Sequence, residues 1–586
     1  MSKLLLVGGL SKTDLSGKVP GPGQLMLRRA LRSASHDAQV ANFATSLSPR
    51  MFPPLIVKEL ADIFARSVKP VVVEGKSLLA RFWKIPQFKN DMETLKKLSQ
   101  QLTAIEQSVF QQLGQELSTK IKNEGIDAVG FSLYLGSSTT GSMIMSNIIR
   151  AENPTLPIFF GGPQTSHFAS SIYRGTSAPT ALVVGEGELS IIRLANIIGD
   201  LKAGNLNQLS DIPNLVFQNE AGKIIATPRQ RLSLQDWVAM SAGNYEDQDF
   251  KGVMKYAFIE ASRGCLYRCR FCPQPMLSGS DRYLKPAKNV VDEMIALYNK
   301  FGLTHFELVG SSTPPSQAEE IADELIGRRL QGKFNWVLFM RGRDERAKTA
   351  DPIELMKKLH SAGASSIFFG VEAADNETLK LMGKGEKIED IKAAMIAART
   401  AGIATIGSFI YPYPGMPANE GKLIIDFLKE TRPLSAPSQA LGLYPGTYVS
   451  DHAAEAGIEV VYPIQRDQFL YQIEQKAQPT MQSPEVLDYL LQYPLILSLP
   501  MRFWPPLPYK IDGNNYQEYV KLSNKLQTEI AKLGILLGFS HSHYLISQVL
   551  GLSPTDLSKE MFYCSLTGDP AATESLISRF NDKVNK

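Results

Sequence analysis

Short apolar runs alternate with longer segments of helical periodicity over the first 200 or so residues of the chain. The apolar runs have the length typical of strands, and they are Leu4–Val7, Val71–Val73, Ala128–Leu133, Ile158–Phe160 and Leu182–Val184. Helical stretches such as Asn90 to Lys122 separate them. This alternation predicts a parallel sheet with helices on both faces, so we expect a Rossmann-like α/β domain over residues 1–203.

Glycine-containing turns follow three of the predicted strands. They are "LGSST" (residues 135–139), "GGPQTS" (residues 161–166) and "GEGE" (residues 185–188). Open parallel sheets bind ligands at the carboxyl ends of their strands, so these turns are predicted to line one binding edge. Glycine lets the backbone approach a ligand closely, although any one of these glycines can equally serve the turn alone.

Residues 204–258 are less regular, and "IPNLVFQNEAGKIIATP" predicts a hairpin followed by an extended linker. From residue 259 to 450 the alternation returns, which predicts a partial α/β barrel. The strand candidates are "FIEASRG", "HFELVG", "WVLFMRGR", "SIFFGVEAA" and "IATIGSFIY", and the helix candidates are Lys288–Phe301, Ser316–Arg329, Pro352–Ala362 and Ile388–Ala401.

The last segment, residues 451–586, has a different texture, with helical periodicity in Ser483–Leu497 and Tyr516–Leu537. It is predicted to be a mainly helical domain that covers the substrate as a lid. His541 and His543 have a spacing seen in metal ligands, but a solvated pair is favoured because no further ligand is close in sequence. Cys564 is expected to be a small buried apolar residue.

Composition describes an ordinary globular protein, with 44% apolar and 20% charged residues among 586, enough for about three domains. The 62 basic and 58 acidic residues nearly balance, and no dense basic run predicts nucleic-acid binding. The apolar run in "MSKLLLVGGLSKTD" is too short for a membrane span or a signal peptide. With four cysteines, three of them in one loop, we expect a cytoplasmic location.

The loop "SRGCLYRCRFCPQP" contains Cys265, Cys269 and Cys272. Three thiolates on one short loop can hold three irons of a four-iron four-sulfur (4Fe-4S) cube and leave the fourth iron open. A closed zinc site needs four ligands, and neither a fourth Cys nor a His lies between Cys265 and His305. A disulfide is disfavoured as well, because Cys269 and Cys272 are too close in sequence for an easy bridge.

The segment "CLYRCRFCP" resembles the cluster loop of the radical S-adenosylmethionine (radical SAM) enzymes. The resemblance implies that the open iron chelates the amino and carboxylate groups of SAM, and that Phe271 lies along the adenine. Strand-end residues of the partial barrel would complete the SAM site, since chemistry in such barrels gathers there. They are Gly310, Arg341, Glu372 and Ser408.

The resemblance also suggests individual roles for these residues. "FFGVEAADNETLKLMGKG" is similar to the family's fourth-strand segment, which implies that Glu372 reaches the ribose or amino group of SAM; a structural salt bridge is the alternative. Gly310 would admit the methionyl part. Arg341 or Arg343 would hold the SAM carboxylate, and a surface ion pair is equally compatible with either.

In "GSFIYPYPGMPANE", Tyr411 and Tyr413 are the weak candidates for residues that face the substrate. Packing explains both equally well.

Three segments of the first domain together resemble the cobalamin-binding domain that precedes the radical SAM domain in one large subclass: "GIDAVGFSLYLGSST", "NPTLPIFFGGPQTS" and "ALVVGEGELSIIRL". None of the seven histidines lies in the Asp-x-His-x-x-Gly motif that supplies a lower cobalt ligand in many cobalamin proteins. We therefore expect base-off cobalamin with no protein histidine on cobalt. The resemblance implies that Gly136 and Ser137 face the corrin ring and that Gly161 and Gly162 lie near the nucleotide tail. The turn that would close the site consists of Gly185, Glu186, Gly187 and Glu188.

Together these likenesses imply a cobalamin-dependent radical SAM methyltransferase. It would pass a methyl group from SAM via methylcobalamin to a carbon of a small-molecule or peptidic substrate, with flavodoxin or ferredoxin as the electron donor. Two alternatives share every motif: a cyclisation or rearrangement without net methyl transfer, and non-radical methyl transfer to an sp2 carbon. A methylthiotransferase is disfavoured because no cysteine precedes Cys265, and a zinc-stapled binding module would require coincidental motifs in two domains.

Overall fold

The computed structural model describes residues 1–8, 20–43, 50, 54–63, 86–134, 137–241, 245–344, 347–439, 441–460, 509–511 and parts of 522–584. The described chain divides into two compact units. The first unit contains the described residues of 1–230 and 559–576, and the second contains those of 231–461, 509–558 and 577–584. None of the described helices combines the length and the apolar character that crossing a membrane requires.

A seven-stranded sheet forms the centre of the first unit, with the strand order β2-β1-β3-β4-β5-β6-β7. Neighbouring strands from β2 to β5 pair in parallel, whereas β6 and β7 are antiparallel additions at one edge. The strands are β1 (Lys3–Gly8), β2 (Asp37–Asn42), β3 (Ala128–Ser132), β4 (Ile158–Gly161), β5 (Ala181–Val183), β6 (Leu215–Gln218) and β7 (Ile224–Ala226).

Helices cover both faces of this sheet. Adjacent residues of β4 show this directly, because Phe159 and Phe160 belong to two separate buried apolar clusters, as expected for side chains that alternate along a strand. One cluster includes Phe110 and the other includes Leu194. The predicted Rossmann-like fold is confirmed. The helices are α1 (Pro22–Ser33), α2 (Pro54–Ile63), α3 (Pro86–Glu124), α4 (Ser137–Glu152), α5 (Pro163–Gly175), α6 (Glu188–Asn196) and α7 (Ile198–Lys202).

Two features of the first unit differ from the expectation. The strand β2, with the sequence "DAQVAN", was not predicted, because it lacks an apolar run. The hairpin placed in a linker instead extends the first sheet as β6 and β7, so the sheet continues beyond residue 203. The predicted strand at residues 71–73 lies outside the described residues.

The second unit is built on a six-stranded parallel sheet with the order β15-β14-β13-β12-β11-β8. This is the predicted partial barrel. In chain order, its first five strands, β8 and β11 to β14, correspond to the five strand candidates. The strands are β8 (Ala257–Glu260), β11 (His305–Val309), β12 (Asn335–Met340), β13 (Ala364–Glu372), β14 (Ala404–Ile410) and β15 (Ser438–Gln439). Two antiparallel pairs accompany it: β9 (Ser262–Arg263) with β10 (Tyr283–Leu284), and β16 (Ile458–Val460) with β17 (Tyr509–Ile511).

The helices of the second unit are α8 (Leu234–Ser241), α9 (Gln274–Ser278), α10 (Ala287–Phe301), α11 (Pro315–Gly327), α12 (Pro352–Ser361), α13 (Asn376–Leu381), α14 (Ile388–Thr400), α15 (Glu420–Thr431), α16 (Tyr448–Asp451) and α17 (His541–Leu550). The four helices predicted between residues 288 and 401 correspond to α10, α11, α12 and α14. The last helix, α18 (Pro570–Val584), has residues in both units. His541 and His543 lie in the first turn of α17. The predicted helix at residues 483–497 and Cys564 lie outside the described residues.

Candidate cluster and SAM site

The three-cysteine loop leaves β9 and is fixed by its own backbone. The Cys265 amide donates to the Gly279 carbonyl (3.2 Å), and the Cys272 amide donates to Cys269 (3.0 Å). The Arg270 amide donates to Met382, just after α13, at 2.8 Å. Gly264 precedes the loop at a φ of +76°, and a Cβ there would lie 2.1 Å from the Asp281 carbonyl oxygen, so only glycine fits.

The three thiols are half-buried and near enough to influence one another electrostatically. Burial raises the pKa of Cys269, and it raises the pKa of Cys272 to about 11. Within the described residues no three His, Cys, Asp or Glu side chains are grouped tightly enough for a single metal ion. The cysteines of a four-iron cube bind separate irons and need not converge on one point, so this loop fits a cube.

Three of the predicted SAM residues lie around the loop or at the ends of the sheet strands. Phe271 is half-buried between Cys269 and Cys272, and Ser408 in β14 is in register with Gly370 in β13. Gly310 directly follows β11 at a φ of +135°, and a Cβ there would lie 2.0 Å from the Ser262 carbonyl oxygen. Close packing against β9 therefore requires glycine at position 310, whatever its role toward SAM.

Glu372 is the last residue of β13, and it has a φ of +72°, a strained conformation for a residue with a side chain. Its carboxylate is mostly buried, and Lys384 Nζ lies 3.9 Å from its Oε1. Burial raises the pKa of Glu372, while Lys384 favours its charged form. A strained, buried carboxylate whose described ion pair is long suits the binding of a cationic or hydroxylated ligand, which is the role predicted for Glu372.

The two arginines after β12 have different surroundings. Arg343 is 62% exposed, and its only described ion pair is with Asp390 at 3.7 Å. Arg341 is buried and contacts the cluster loop, Lys384 and Glu386. Of the two, Arg341 is the one that lies beside the cysteine loop.

Tyr411 and Tyr413 are both buried after β14. Burial raises the pKa of Tyr411, and Glu420 adds to the effect. Burial also raises the pKa of Tyr413 to about 12, with opposing influences from Arg270 and Cys269. Tyr413 is therefore close to the cluster loop, and so is Tyr444, whose pKa is raised by burial and by Cys272. Tyr444 lies in no motif that the sequence analysis identified.

A pair of carboxyl groups, Asp375 and Glu420, was also missed. Glu420 begins α15, is 2% exposed, and accepts a hydrogen bond from the Ala374 amide at its Oε1 (2.7 Å). Asp375 caps α13 by accepting from the Thr378 amide (2.9 Å). Burial and the hydrogen bond with Asp375 raise the pKa of Glu420 to about 8. Burial opposes the ionisation of Asp375, but hydrogen bonds from Glu420 and Thr378 outweigh it and lower its pKa. Glu420 therefore carries the shared proton at neutral pH.

We predict that Glu420→Gln removes a pH-dependent loss of stability. The folded-state pKa, about 8, is above the ordinary value of 4.5, so the folded state holds this proton more tightly than the unfolded state does. Stability falls as pH rises between these two values, by about 1.4 kcal/mol per pH unit, and levels off above pH 8. Thermal unfolding midpoints measured over this range should therefore decline less in Glu420→Gln than in the unaltered protein. Glu430→Gln, at an exposed residue paired with Lys392, should keep the original profile; equal slopes for all three proteins would contradict the shared proton.

In the first unit, the turns after β4 and β5 are joined by one side chain. The Ser166 hydroxyl donates to the Gly162 carbonyl (3.2 Å) and accepts from the Gly185 amide (2.8 Å). Gly162 precedes α5 at a φ of +96°, and a Cβ there would lie 2.7 Å from the Leu133 carbonyl oxygen after β3. Gly161 is the last residue of β4. The ends of three neighbouring strands thus meet at one edge.

The remaining described residues predicted to contact cobalamin lie in the turn before α6 and at the start of α4. The Glu186 carbonyl accepts from the Asn214 side chain (2.9 Å), Gly187 precedes α6, and Glu188 is buried in the first turn of α6, where a carboxylate suits the helix dipole. Ser137 begins α4, and Gly136 lies outside the described residues.

Residues 259–428, which contain the cysteine loop and most of the parallel sheet of the second unit, match the model of the radical SAM superfamily. An uncharacterized methyltransferase of Pyrococcus horikoshii is 23% identical over 346 residues, or 58% of this chain and 72% of the relative. An anaerobic magnesium-protoporphyrin IX monomethyl ester cyclase of Cereibacter sphaeroides is 29% identical over 238 residues, or 39% of this chain and 37% of the relative.

Two solved structures share the fold. The radical SAM methyltransferase TsrM of Kitasatospora setae, solved with tryptophan and a SAM analogue, has a TM-score of 0.56 at 16% identity and covers 79% of this chain and 78% of its own. The cobalamin-dependent radical SAM enzyme OxsB, solved with aqua-cobalamin, has a TM-score of 0.55 at 15% identity. The match covers 97% of this chain and 72% of the OxsB chain.

The matched domain and its cysteine loop define a radical SAM enzyme, a class whose cofactors are a 4Fe-4S cluster and SAM. Beyond the matched domain, the chain shares the fold of TsrM and OxsB, in agreement with the family that the motifs suggested.

Proposed function

We propose that this enzyme is a cobalamin-dependent methyltransferase that moves a methyl group from SAM, by way of bound cobalamin, to a carbon of a small-molecule or peptidic substrate. The observation that carries the proposal is the presence in one chain of two ligand edges. One is the three-cysteine loop beside the parallel sheet of the second unit, and the other is the glycine edge of the first unit. The methyltransferase names of one relative and one structural neighbour support it.

In the second unit, Cys265, Cys269 and Cys272 would hold the cluster, and Phe271 and Glu372 would contact SAM. When bound, the cluster and SAM supply one-electron chemistry, and cobalamin carries the methyl group. The chain supplies the placement of these groups, since rigid strand ends fix the residues that touch them. The electron would come from a protein of the flavodoxin or ferredoxin type.

In the first unit, Gly161 and Gly162 would let the nucleotide tail of cobalamin approach the backbone, and the turn at residues 185–188 would close the site. The Ser166 bridge supports this arrangement, because it holds the two turns together before any ligand binds. We propose that cobalamin is bound base-off, with no protein histidine on cobalt.

A second candidate is a cyclisation or rearrangement that uses the same cofactors without net methyl transfer. The relative named as a magnesium-protoporphyrin IX monomethyl ester cyclase favours it, since that alignment has the higher identity of the two reported. Both candidates use the same cluster and SAM residues, so only product analysis separates them.

The test is an anaerobic incubation of the reconstituted protein with methyl-labelled SAM, hydroxocobalamin and a strong reductant. S-adenosylhomocysteine, 5′-deoxyadenosine and labelled methylcobalamin are measured separately. Methyl transfer predicts label on cobalamin together with S-adenosylhomocysteine, and omission of cobalamin should abolish both products. If 5′-deoxyadenosine forms while cobalamin stays unlabelled, the methyltransferase proposal fails and the rearrangement is favoured.

A further inference from the structure

Arg341 is held rigidly beside the cluster loop. It follows β12, is 8% exposed, and its guanidinium carbon lies 3.5 Å from the centre of the Tyr267 ring, a cation–π contact with a residue of the loop itself. Its Nη2 atom lies 3.0 Å from the Glu386 carboxylate and donates to the Lys384 carbonyl. A side chain fixed on several sides loses little further freedom on acting as a donor, so it is preorganised.

Tyr267 lies two residues from both Cys265 and Cys269, so the guanidinium places a buried positive charge directly beside the cluster loop. Lys384 adds a second buried cation, and both charges act on the Cys269 sulfur. The Nε atom of Arg341 is buried without a hydrogen-bond partner in the described part of the chain, so one donor of this guanidinium is still unused.

Glu386 keeps the two cations in place. Its side chain is 5% exposed, it accepts from the Gly342 amide (2.7 Å), and it lies 3.6 Å from Lys384 Nζ. Arg341 is thus committed to Tyr267, Glu386 and the Lys384 carbonyl before any SAM binds. A residue that clamps the SAM carboxylate would need its paired donors free for that ligand.

We propose that Arg341 is a positioning residue for the cluster, whose fixed positive charge beside the cysteine loop raises the reduction potential of the bound cluster. Reduction adds one electron, and hence negative charge, to the iron–sulfur unit. Positive charge near the cluster therefore stabilises the reduced form more than the oxidised form. The electron is supplied by the external reductant, and no proton moves. The sequence suggested a SAM-carboxylate role for the same residue, and the two roles predict different measurements.

The test is a redox titration of the reconstituted 4Fe-4S protein without SAM, followed by electron paramagnetic resonance of the reduced cluster. For Arg341→Met we expect about a tenfold lower ratio of reduced to oxidised cluster at a fixed potential, which is a midpoint about 59 mV more negative. Glu386→Gln removes the opposing negative charge and should shift the midpoint in the positive direction. Arg343→Met removes an exposed arginine from the same segment and should leave the midpoint unchanged.

An unchanged midpoint in Arg341→Met, together with weaker SAM binding, would overturn the proposal in favour of the carboxylate clamp. If Arg341→Met takes up no cluster, Glu386→Gln decides, because a midpoint that is unchanged or more negative there contradicts the charge argument. The inference rests on the cluster and not on the proposed methyl transfer. A reconstituted protein with no four-iron signal would refute the proposed function itself, whereas a normal signal with unshifted midpoints would refute only the role of Arg341.

Discussion

Cys269→Ala is expected to lose most of its iron and all of its SAM cleavage. Cys269 is the middle cysteine of the loop, and two buried cations, Arg341 and Lys384, act on its sulfur. Removing this sulfur leaves only two protein ligands for the cube. Iron and sulfide analysis, the four-iron absorbance and 5′-deoxyadenosine formation measure the effect.

The matched control is Cys564→Ala, which removes the one cysteine outside the loop. It should keep the iron content, the four-iron spectrum and SAM cleavage of the unaltered protein. A full complement of iron in Cys269→Ala would show that the cube is held by another set of ligands. Loss of iron from Cys564→Ala would show a cluster ligated at all four irons, with no open position for SAM.

The cluster loop could be predicted from the sequence because its ligands are neighbours in the chain. Cys265, Cys269 and Cys272 belong to one turn-rich segment, so their proximity follows from covalent connection alone. The strands of both sheets were also accessible, since short apolar runs between amphipathic helices are a local signal. These two kinds of signal were enough for the fold class and the class of enzyme.

The charged groups around the loop were not accessible in the same way. Arg341 follows β12 while Glu386 precedes α14, and they meet only because β12 and β13 pair in parallel. The Asp375–Glu420 pair likewise joins the start of α13 to the start of α15. No periodicity relates such residues, because their contact is created by the tertiary fold. The alternation of Lys384 and Glu386 in "GKGEK" is the only local hint, and charged residues after a glycine usually face solvent.

The edge strand β2 and the hairpin β6–β7 were misjudged for a related reason. Edge strands are partly exposed and need no apolar run, so "DAQVAN" carries no strand signal. The hairpin was recognised, but its membership of the first sheet depends on pairing between β5 and β6, which is antiparallel in an otherwise parallel sheet up to that point. The sequence pattern therefore predicts the hairpin but does not show that it pairs with β5.

Gly162→Ala is expected to weaken cobalamin binding by about tenfold, which corresponds to about 1.4 kcal/mol, while the iron content is unchanged. At a φ of +96° the added methyl group would lie 2.7 Å from the Leu133 carbonyl oxygen, a rigid backbone atom. The turn must therefore move away from β3. Because Ser166 links Gly162 to Gly185, this displacement passes to the second turn of the proposed cobalamin edge. Spectrophotometric titration with hydroxocobalamin measures the affinity.

Gly204→Ala separates this displacement from simple backbone strain. Gly204 has a φ of +84°, close to that of Gly162, but a Cβ there meets no atom within 4 Å. Both variants place a side chain at positive φ, at a cost on the order of 1–2 kcal/mol, so both thermal midpoints should fall, and further in Gly162→Ala because of the added clash. Only Gly162→Ala should lose cobalamin. Equal cobalamin affinity in the two variants would refute the binding role of the Gly162 turn. Loss of iron together with cobalamin in Gly162→Ala would show that the two cofactor sites are not independent, because the change lies in the first unit and all three cysteines of the loop lie in the second.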